Sequence, residues 1–438
     1  MRAKTFRGGI HLHYHKEATA SKSIVELPEP SQVTLPVQQH LGAPAEVCVR
    51  VGDQVKIGDV VAVAKGFVSA PVHASIPGKV IAISDLPHPI GKNITAVTIQ
   101  NDQTGATSFR APSQLDELSA VDIKELMQQI GLVGMGGAGF PTHVKYHPPE
   151  GKKIETVILN GAECEPYLTC DHRLMVEYPK KVILGLQAMM KAAGVEEGFI
   201  GIELNKPDAI EILTKEASVD PRIKVVPLEV KYPQGEEKML ISAVTNRTVP
   251  AGGLPVDVGV VVNNVATAVV LAEAILEGSP LYNRIVTVTG AVQNPQNLRV
   301  RLGTAVRELV DFCGGFTGTP GRLVLGGPMT GPAQYRLDLP VIKTTSGVLV
   351  QDRGHIRLLE STPCVRCAKC VDVCPYNLLP CLIVDSIDAK NFAQAETYGL
   401  MDCRECGACT FVCPAQRPLV QSIKYAKNKV IAAKKKNA

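Results

Sequence analysis

The chain has 438 residues, 45% hydrophobic and 20% charged, which exceeds one compact core, allows two to four domains and excludes a disordered or collagen-like polymer. Aromatic residues are only 4%, tryptophan is absent, and 46 Lys and Arg against 42 Asp and Glu leave a net charge of +4, so neither a single-strand stacking platform nor a broad nucleic-acid footprint is expected. Thirteen cysteines, an odd number behind a start with no apolar signal segment, point to thiolate chemistry in a reducing compartment.

Residues 1–29 read as an N-terminal arm. His11, His13 and His15 share one face of an expected exposed strand, read as surface residues rather than as a metal site. Residues 30–100 alternate short Val and Ile runs with turn signals. The pieces VGDQVKIGD and SAPVHASIPGKV resemble the hammerhead of lipoyl and biotinyl domains, a barrel-sandwich hybrid. Where those carriers present a modifiable lysine, this chain has Ser69-Ala70-Pro71-Val72, so a structural domain without a swinging cofactor is expected.

Residues 101–120 are polar and linker-like. Ile123, Leu126, Met127 and Ile130 then follow helical spacing, with Gly131 suited to the helix end. Strand-like runs at 156–160, 198–204, 223–230 and 258–262 alternate with helical patterns near 174–193, 206–217 and 236–245. This predicts an α/β unit over 115–280 with a largely parallel sheet. The apolar stretch 254–276 is interrupted by Asp257, Asn263, Asn264 and Glu273, and reads as a buried strand followed by a helix rather than a membrane span. Membrane association would come through partners. Residues 281–350 return to strand and turn character around one short helix, with Thr304 as its expected N-cap; a small β-grasp domain fits. A cysteine module spans 355–425. The tail, 426–438, is basic; Lys424, Lys427, Lys429, Lys434, Lys435 and Lys436 suit either a solvated end or docking to an acidic partner or lipid surface.

The strongest signal is duplicated. Cys364, Cys367, Cys370 and Cys374, followed by Pro375, recur as Cys403, Cys406, Cys409 and Cys413, followed by Pro414. Zinc ribbons use paired CxxC units instead, whereas both runs match the spacing of bacterial ferredoxins. That resemblance implies two [4Fe–4S] clusters with crossed ligation. Cys364, Cys367, Cys370 and Cys413 would hold the first, and Cys374, Cys403, Cys406 and Cys409 the second. The longer segment between the copies permits a helical insertion. Cys48, Cys164, Cys170, Cys313 and Cys381 are left over and read as small buried hydrophobes.

Gly134, Gly136, Gly137 and Gly139 satisfy G-x-G-x-x-G by letter, but the run follows a helix rather than a strand, which rejects an ordinary dinucleotide fold. Four glycines still let backbone N–H groups approach a phosphate, and a following helix N-terminus would add positive potential. Further polar runs end three strands: Asn160 to Pro166, including Glu163 and Glu165; Tyr232 to Glu237, including Gly235 and Glu236; and Asn263, Asn264 and Thr267. Strand C-terminal ends are where open α/β sheets bind ligands.

GMGGAGFPTHVK, NGAECEP, YPQGEE and VNNVAT together resemble the flavin- and NADH-binding subunit of respiratory complex I over roughly residues 30–350, β-grasp domain included. Two departures stand out: Met135 and Ala162 replace an Arg and an Asp of that family, and the chain ends in a two-cluster ferredoxin module. With the N-terminal hybrid barrel and GAECEPYLTCDHRLM, the whole chain resembles the RnfC family of Rnf (Rsx) electron-transport complexes. This implies non-covalent FMN, two [4Fe–4S] clusters and NAD(H) as substrate. It also implies a peripheral position on the cytoplasmic face of a bacterial cell membrane, as part of an ion-translocating NADH:ferredoxin oxidoreductase. Partners would be the other Rnf membrane subunits and a ferredoxin-type subunit. The glycines would cradle FMN phosphate, with Lys145 as helper. Asn160, Asn263, Asn264 and Thr267 would hydrogen-bond the flavin or ribityl chain, and Tyr232 and Gly235 would belong to the same pocket. Glu163, Glu165, Glu236 and Glu237 would shape the nicotinamide face. Phe140 would either lie over the nucleotide or pack in the core. The catalytic chemistry would be borne by the cofactors. A cobalamin reductase and a docking scaffold with a vestigial flavin pocket are the alternatives.

Overall fold

The computed structural model describes residues 3–356 and 360–437; the side chain of Lys436, in the basic tail, lies outside the described ones. After β1 (Ile24–Glu26), the chain builds a barrel-sandwich hybrid. Its strands are β2 (Gln32–Pro36), β3 (Glu46–Val47), β4 (Gln54–Val55), β5 (Val60–Val63), β6 (Val72–His73), β7 (Gly78–Pro87) and β8 (Asn93–Asn101). They form two sheets, ordered β2-β8-β7-β4 and β3-β5-β6. Period-two patterning explains the burial in β2: Val33 and Leu35 are buried while Gln32 is exposed. Ser69 to Val72, where a carrier lysine would be displayed, is buried.

The linker leads into α1 (Ala120–Gln129), capped by a Ser119–Asp122 capping box. α2 (Thr142–Lys145), β9 (Thr156–Gly161), α3 (Cys170–Glu177), α4 (Pro179–Ala193), β10 (Gly198–Glu203), α5 (Pro207–Ala217), β11 (Ile223–Leu228), α6 (Glu237–Thr245), β12 (Val260–Asn264) and α7 (Val265–Glu277) follow. The expected helix at 174–193 is two helices, because Pro179 opens a new one. The sheet is parallel, ordered β11-β10-β9-β12. Alternation along β9 sends Val157 and Leu159 to the core shared with α4 and α7, and Ile158 to the opposite core with Leu240 and Ile241 of α6.

A third unit contains β13 (Asn283–Gly290), β14 (Gln296–Arg301), α8 (Val306–Phe312), β15 (Pro320–Leu325), β16 (Ala333–Gln334) and β17 (Gly347–Asp352). Its sheet, ordered β1-β14-β13-β17-β15-β16, recruits β1 from the arm in parallel with β14. The N-cap of α8 is Ala305 rather than Thr304, whose hydroxyl donates to the Arg301 carbonyl at 2.8 Å.

The cysteine module comprises α9 (Lys369–Asp372), α10 (Pro380–Asp388), α11 (Phe392–Thr397), α12 (Ala408–Phe411) and α13 (Leu419–Asn437). Its two halves repeat at an offset of 39 residues: α9 maps onto α12, and the first residue of α10 onto that of α13. The left-handed backbone of Arg366, Ala368 and Asn377 recurs at Glu405, Gly407 and Gln416. The tail is not a separate segment. α13 runs continuously through the expected boundary, with Ala426 and Val430 buried in the module core.

The arm also departs from its expected form. His11, His13 and His15 are exposed but lie outside any strand, while Phe6, Ile10 and Lys16 are buried. Lys4 bridges Leu228, Ile10 bridges Tyr232, and the Gly9 N–H donates to Val373 O at 2.9 Å. The arm therefore straps the α/β unit to the cysteine module. Among the leftover cysteines, Cys164, Cys170 and Cys313 are buried, Cys381 is half-buried, and Cys48 is exposed, against expectation.

Candidate functional site

The strand order places a topological switch between β9 and β12. The chain leaves β9 toward β10 and β11, then returns to the other side. Ligands of open parallel sheets bind in the crevice outside the strand C-termini at such a point. Toward that end Asn160 of β9 and Asn264, the last residue of β12, pair in register. The glycine-rich loop closes over them: a Cβ on Gly136 would lie 3.3 Å from Asn264 Cβ.

The loop is held at its base and free at its tip. Val133 bridges Pro141, and the Gly134 N–H donates to Phe140 O at 2.8 Å. The Met135 N–H donates to the Thr267 hydroxyl at 3.0 Å, and Leu41 of the barrel donates to Gly139 O at 3.1 Å. Gly136, Gly137 and Ala138 are exposed, and among the described residues their N–H groups have no acceptor. Gly137 has φ +139, and nothing stands within 4 Å of the position its Cβ would take. Three unpaired N–H groups beside open space fit the phosphate of FMN. The helix after the loop, α2, is a single turn, too short for the macrodipole contribution expected of it.

The polar side chains around the crevice mostly position one another. Asn160 donates to Gly235 O at 2.8 Å, locking NGAECEP against YPQGEE. Asn264 caps α7 through Ala266 N–H and donates to Asp171 at 2.6 Å. Asn263 donates to the Tyr146 hydroxyl at 2.7 Å, leaving its buried Oδ1 without a partner among the described residues. Thr267 is buried and committed to the loop base. Lys145 donates to Val262 O at 2.7 Å and pairs with Glu237 at 3.3 Å. Glu163 accepts from Asp171 and His172 N–H at the start of α3. Glu165 is turned to the β-grasp loop, accepting from Met329 and Thr330 N–H at 3.0 and 2.9 Å. Glu236 caps α6. Phe140 is half-buried.

Burial dominates the electrostatics. It raises Glu165 and Glu236 above the usual carboxylate range. It also raises Asp171, beside Glu163, to about 7. The two departures from the complex I pattern have packing reasons: Met135 is buried in the main core, and Ala162 is fully buried, 3.4 Å from where a Gly235 Cβ would stand.

Several residues here carried no sequence signal. Buried Lys16 of the arm donates to the carbonyls of Glu163 and Glu165, both at 2.9 Å, and to that of Leu168. Arg284, also buried, donates to Met135 O at 2.7 Å. Lys343 donates to Pro71 O at 2.7 Å and Gly131 O at 2.8 Å, joining three units.

In the cysteine module, Cys374, Cys403, Cys406 and Cys409 line one cavity, closed by Leu378, Ile383 and Val420. These are the four residues of the expected second cluster. Burial, reinforced by the neighbouring sulfurs, pushes Cys406 and Cys409 each to about 12. Thiols gathered this closely become thiolates together around a cationic core, and the donor set fits iron–sulfur ligation. Of the other set, Cys370 lies in the module core and Cys413 packs against it, while Cys364 is half-buried and Cys367 exposed. The crevice and this cavity adjoin. The Tyr232 hydroxyl donates to Cys406 O at 2.6 Å, and Cys164, Tyr232 and Ala408 share an apolar cluster with Met329 and Cys406.

Family comparisons match four segments: an RnfC barrel sandwich hybrid domain at 4–104, a Nuo51 FMN-binding domain at 127–273, an SLBB domain at 285–333 and a 4Fe-4S dicluster domain at 363–417. The chain is 46% identical over 435 residues to the C component of the Na(+)-translocating ferredoxin:NAD(+) oxidoreductase complex of Acetobacterium woodii, covering 99% of this chain and 98% of that protein. It is 44% identical to the C component of the proton-translocating ferredoxin:NAD(+) oxidoreductase complex of Clostridium ljungdahlii, covering 98% and 95%. It is 41% identical to the C component of the ion-translocating oxidoreductase complex of Rhodobacter capsulatus, covering 97% and 83%. Among solved structures, NAD+-reducing [NiFe]-hydrogenase in the H2-reduced state aligns with a TM-score of 0.50 at 20% identity, over 74% of this chain and 63% of that one. The chain thus spans just under two thirds of that structure, a likeness of fold.

Proposed function

The chain belongs to the RnfC family of ion-translocating ferredoxin:NAD+ oxidoreductase complexes, and from that premise we propose that it exchanges electrons with NAD(H) at FMN and relays them through two [4Fe–4S] clusters. Bound here, FMN supplies interconversion of a hydride and single electrons, and the clusters supply one-electron carriage. The relatives' names favour this reading over a cobalamin reductase or a docking scaffold.

The chain's own residues do the positioning. Gly134, Gly136, Gly137 and Gly139 shape the loop whose free N–H groups receive the phosphate. Asn160 and Asn264 form the crevice floor, and Asn263 offers an unpartnered oxygen. The Lys145–Glu237 pair closes one side, while Glu163 and Glu236 fix the starts of α3 and α6. Cys374, Cys403, Cys406 and Cys409 hold the inner cluster, against the α/β unit; Cys364, Cys367, Cys370 and Cys413 hold the outer one. Among the described residues no helix is long and apolar enough to cross a membrane. As part of such a complex the chain sits peripherally, on the cytoplasmic side, held by the other subunits.

The carrying observation is the adjacency of crevice and cysteine cavity through Tyr232 and Cys406. Anaerobically purified protein should contain about one FMN and two clusters' worth of iron and sulfide per chain, and NADH should reduce the clusters. A single cluster, or zinc in place of iron, overturns the reading.

A further inference from the structure

The barrel-sandwich hybrid carries no swinging cofactor, yet it grips the glycine-rich loop from one side. The Leu41 N–H donates to Gly139 O at 3.1 Å. Three residues beyond Phe140, the buried His143 of α2 donates from Nε2 to the Phe67 carbonyl at 3.0 Å. The turn that holds Phe67 is itself tied down. The Ser69 hydroxyl accepts from the Lys65 N–H and donates to Ala43 O, both at 2.9 Å, and the Ala43 N–H donates to Val68 O at 3.0 Å.

Phe67 is nonetheless 54% exposed. Its ring stands nearly perpendicular to the imidazoles of His143 and His147, each at 5.7 Å between centroids. Leu41, on the adjoining backbone, is 52% exposed. A single exposed apolar residue needs no explanation. Two on adjoining segments, one of them an aromatic ring fixed in place, form a flat apolar face already ordered for a ligand. The other aromatic pair, His15 and Tyr167 just past the Asn160–Pro166 run, stacks on itself at 4.9 Å and 19°, so its facing surfaces are taken.

NAD(H) has two nucleotide halves. The crevice serves the nicotinamide half, and the adenosine half has to lie on the surface beside the loop. A purine has a π-face and gains most from stacking on an aromatic ring. We propose that the barrel supplies this adenine subsite: the base stacks on the Phe67 ring, which His143 and His147 hold and Leu41 flanks. This rests on the NAD(H) reading above. It gives the barrel a part in substrate binding and makes Phe67 a specificity residue for the dinucleotide over its nicotinamide half alone.

The test uses the anaerobically purified full chain, with flavin and iron measured on every sample. Calorimetric titration with ADP-ribose reads the adenosine half without any reaction. Phe67→Ala should weaken its binding roughly 5- to 150-fold, and Phe67→Tyr should restore it. The NADH concentration that half-saturates flavin reduction should rise by a similar factor in Phe67→Ala, with the limiting rate unchanged. Reduced nicotinamide mononucleotide, which lacks the adenosine half, should behave as with wild type. Unchanged ADP-ribose affinity in Phe67→Ala overturns the proposal, as does wild-type protein that NADH reduces but that binds no ADP-ribose. Equal losses for NADH and reduced nicotinamide mononucleotide, or loss of flavin, also overturn it, by making Phe67 a support of the loop. Wild-type flavin that NADH does not reduce would instead overturn the function beneath it.

Discussion

Tyr232 and Cys406 are joined by a 2.6 Å hydrogen bond from the phenol to the peptide carbonyl, so the loop that borders the crevice is tied to the backbone of a cysteine lining the neighbouring cavity. Burial holds the Tyr232 phenol far above its ordinary range, and the hydroxyl remains a donor at every pH the protein tolerates. Tyr232→Phe should cost about 1 kcal/mol and leave the Cys406 carbonyl without this donor. Hydrogen exchange of the 403–408 backbone should rise, with flavin and iron content unchanged. Unaltered exchange there would show that the apolar contacts alone hold the junction.

The open space beside Gly137 predicts a clean separation of flavin binding from folding. Nothing within 4 Å obstructs a side chain there, although φ +139 strains any residue with a Cβ. Gly137→Val should therefore fold, keep its iron and lose most of its FMN, read as the flavin-to-iron ratio of the purified protein. Gly139→Ala offers a contrast. Its Cβ would lie 2.7 Å from Thr344 Cγ2 and 3.3 Å from His40 Cα, so it should loosen the barrel contact and lower thermal stability. Full flavin occupancy in Gly137→Val would remove the loop from the cofactor site.

Cys367 is exposed, so replacing it removes little packing and tests ligation alone. Cys367→Ser should lose roughly half of the iron while the inner cluster's signal persists, because the inner cavity draws its cysteines from both halves of the repeat. Full iron content would contradict the assignment of this sulfur.

The legible parts of this molecule are those in which local chemistry repeats or alternates. The cysteine runs foreshadow the cavity that gathers Cys374, Cys403, Cys406 and Cys409, and strand patterning around Val157, Ile158 and Leu159 prescribes a sheet buried on both faces. The site is legible as a set of strand-end loops, because a polar residue ending an apolar run has few other reasons to be there. Side-chain orientation is not legible. Glu165 turns to the β-grasp loop and Thr267 to the loop base, a choice made by neighbours far away in sequence. The arm escapes a sequence reading for the same reason: Lys16 is buried only because three carbonyls of a distant loop receive it. The basic tail separates from its helix only when charge is weighed above the spacing of Ala426 and Val430, which are buried.

Lys343 supplies the pH-dependent prediction. Its ammonium is fully buried between Pro71 O of the barrel and Gly131 O at the end of α1, and desolvation lowers its pKa from 10.5 to about 7. Between pH 7 and about 10 the unfolded chain keeps this proton and the folded chain has released it. Stability from this group therefore rises with pH across that window, by at most about 1.4 kcal/mol per unit. The neutral amine retains enough N–H groups for both carbonyls. Lys343→Met removes the titration and leaves both carbonyls unpaired, at a cost of roughly 1–3 kcal/mol each. The melting temperature of wild type relative to Lys343→Met should thus increase from pH 7 to pH 9.5, measured at constant ionic strength. A difference that stays flat across this range would mean that the lysine keeps its proton in the folded protein.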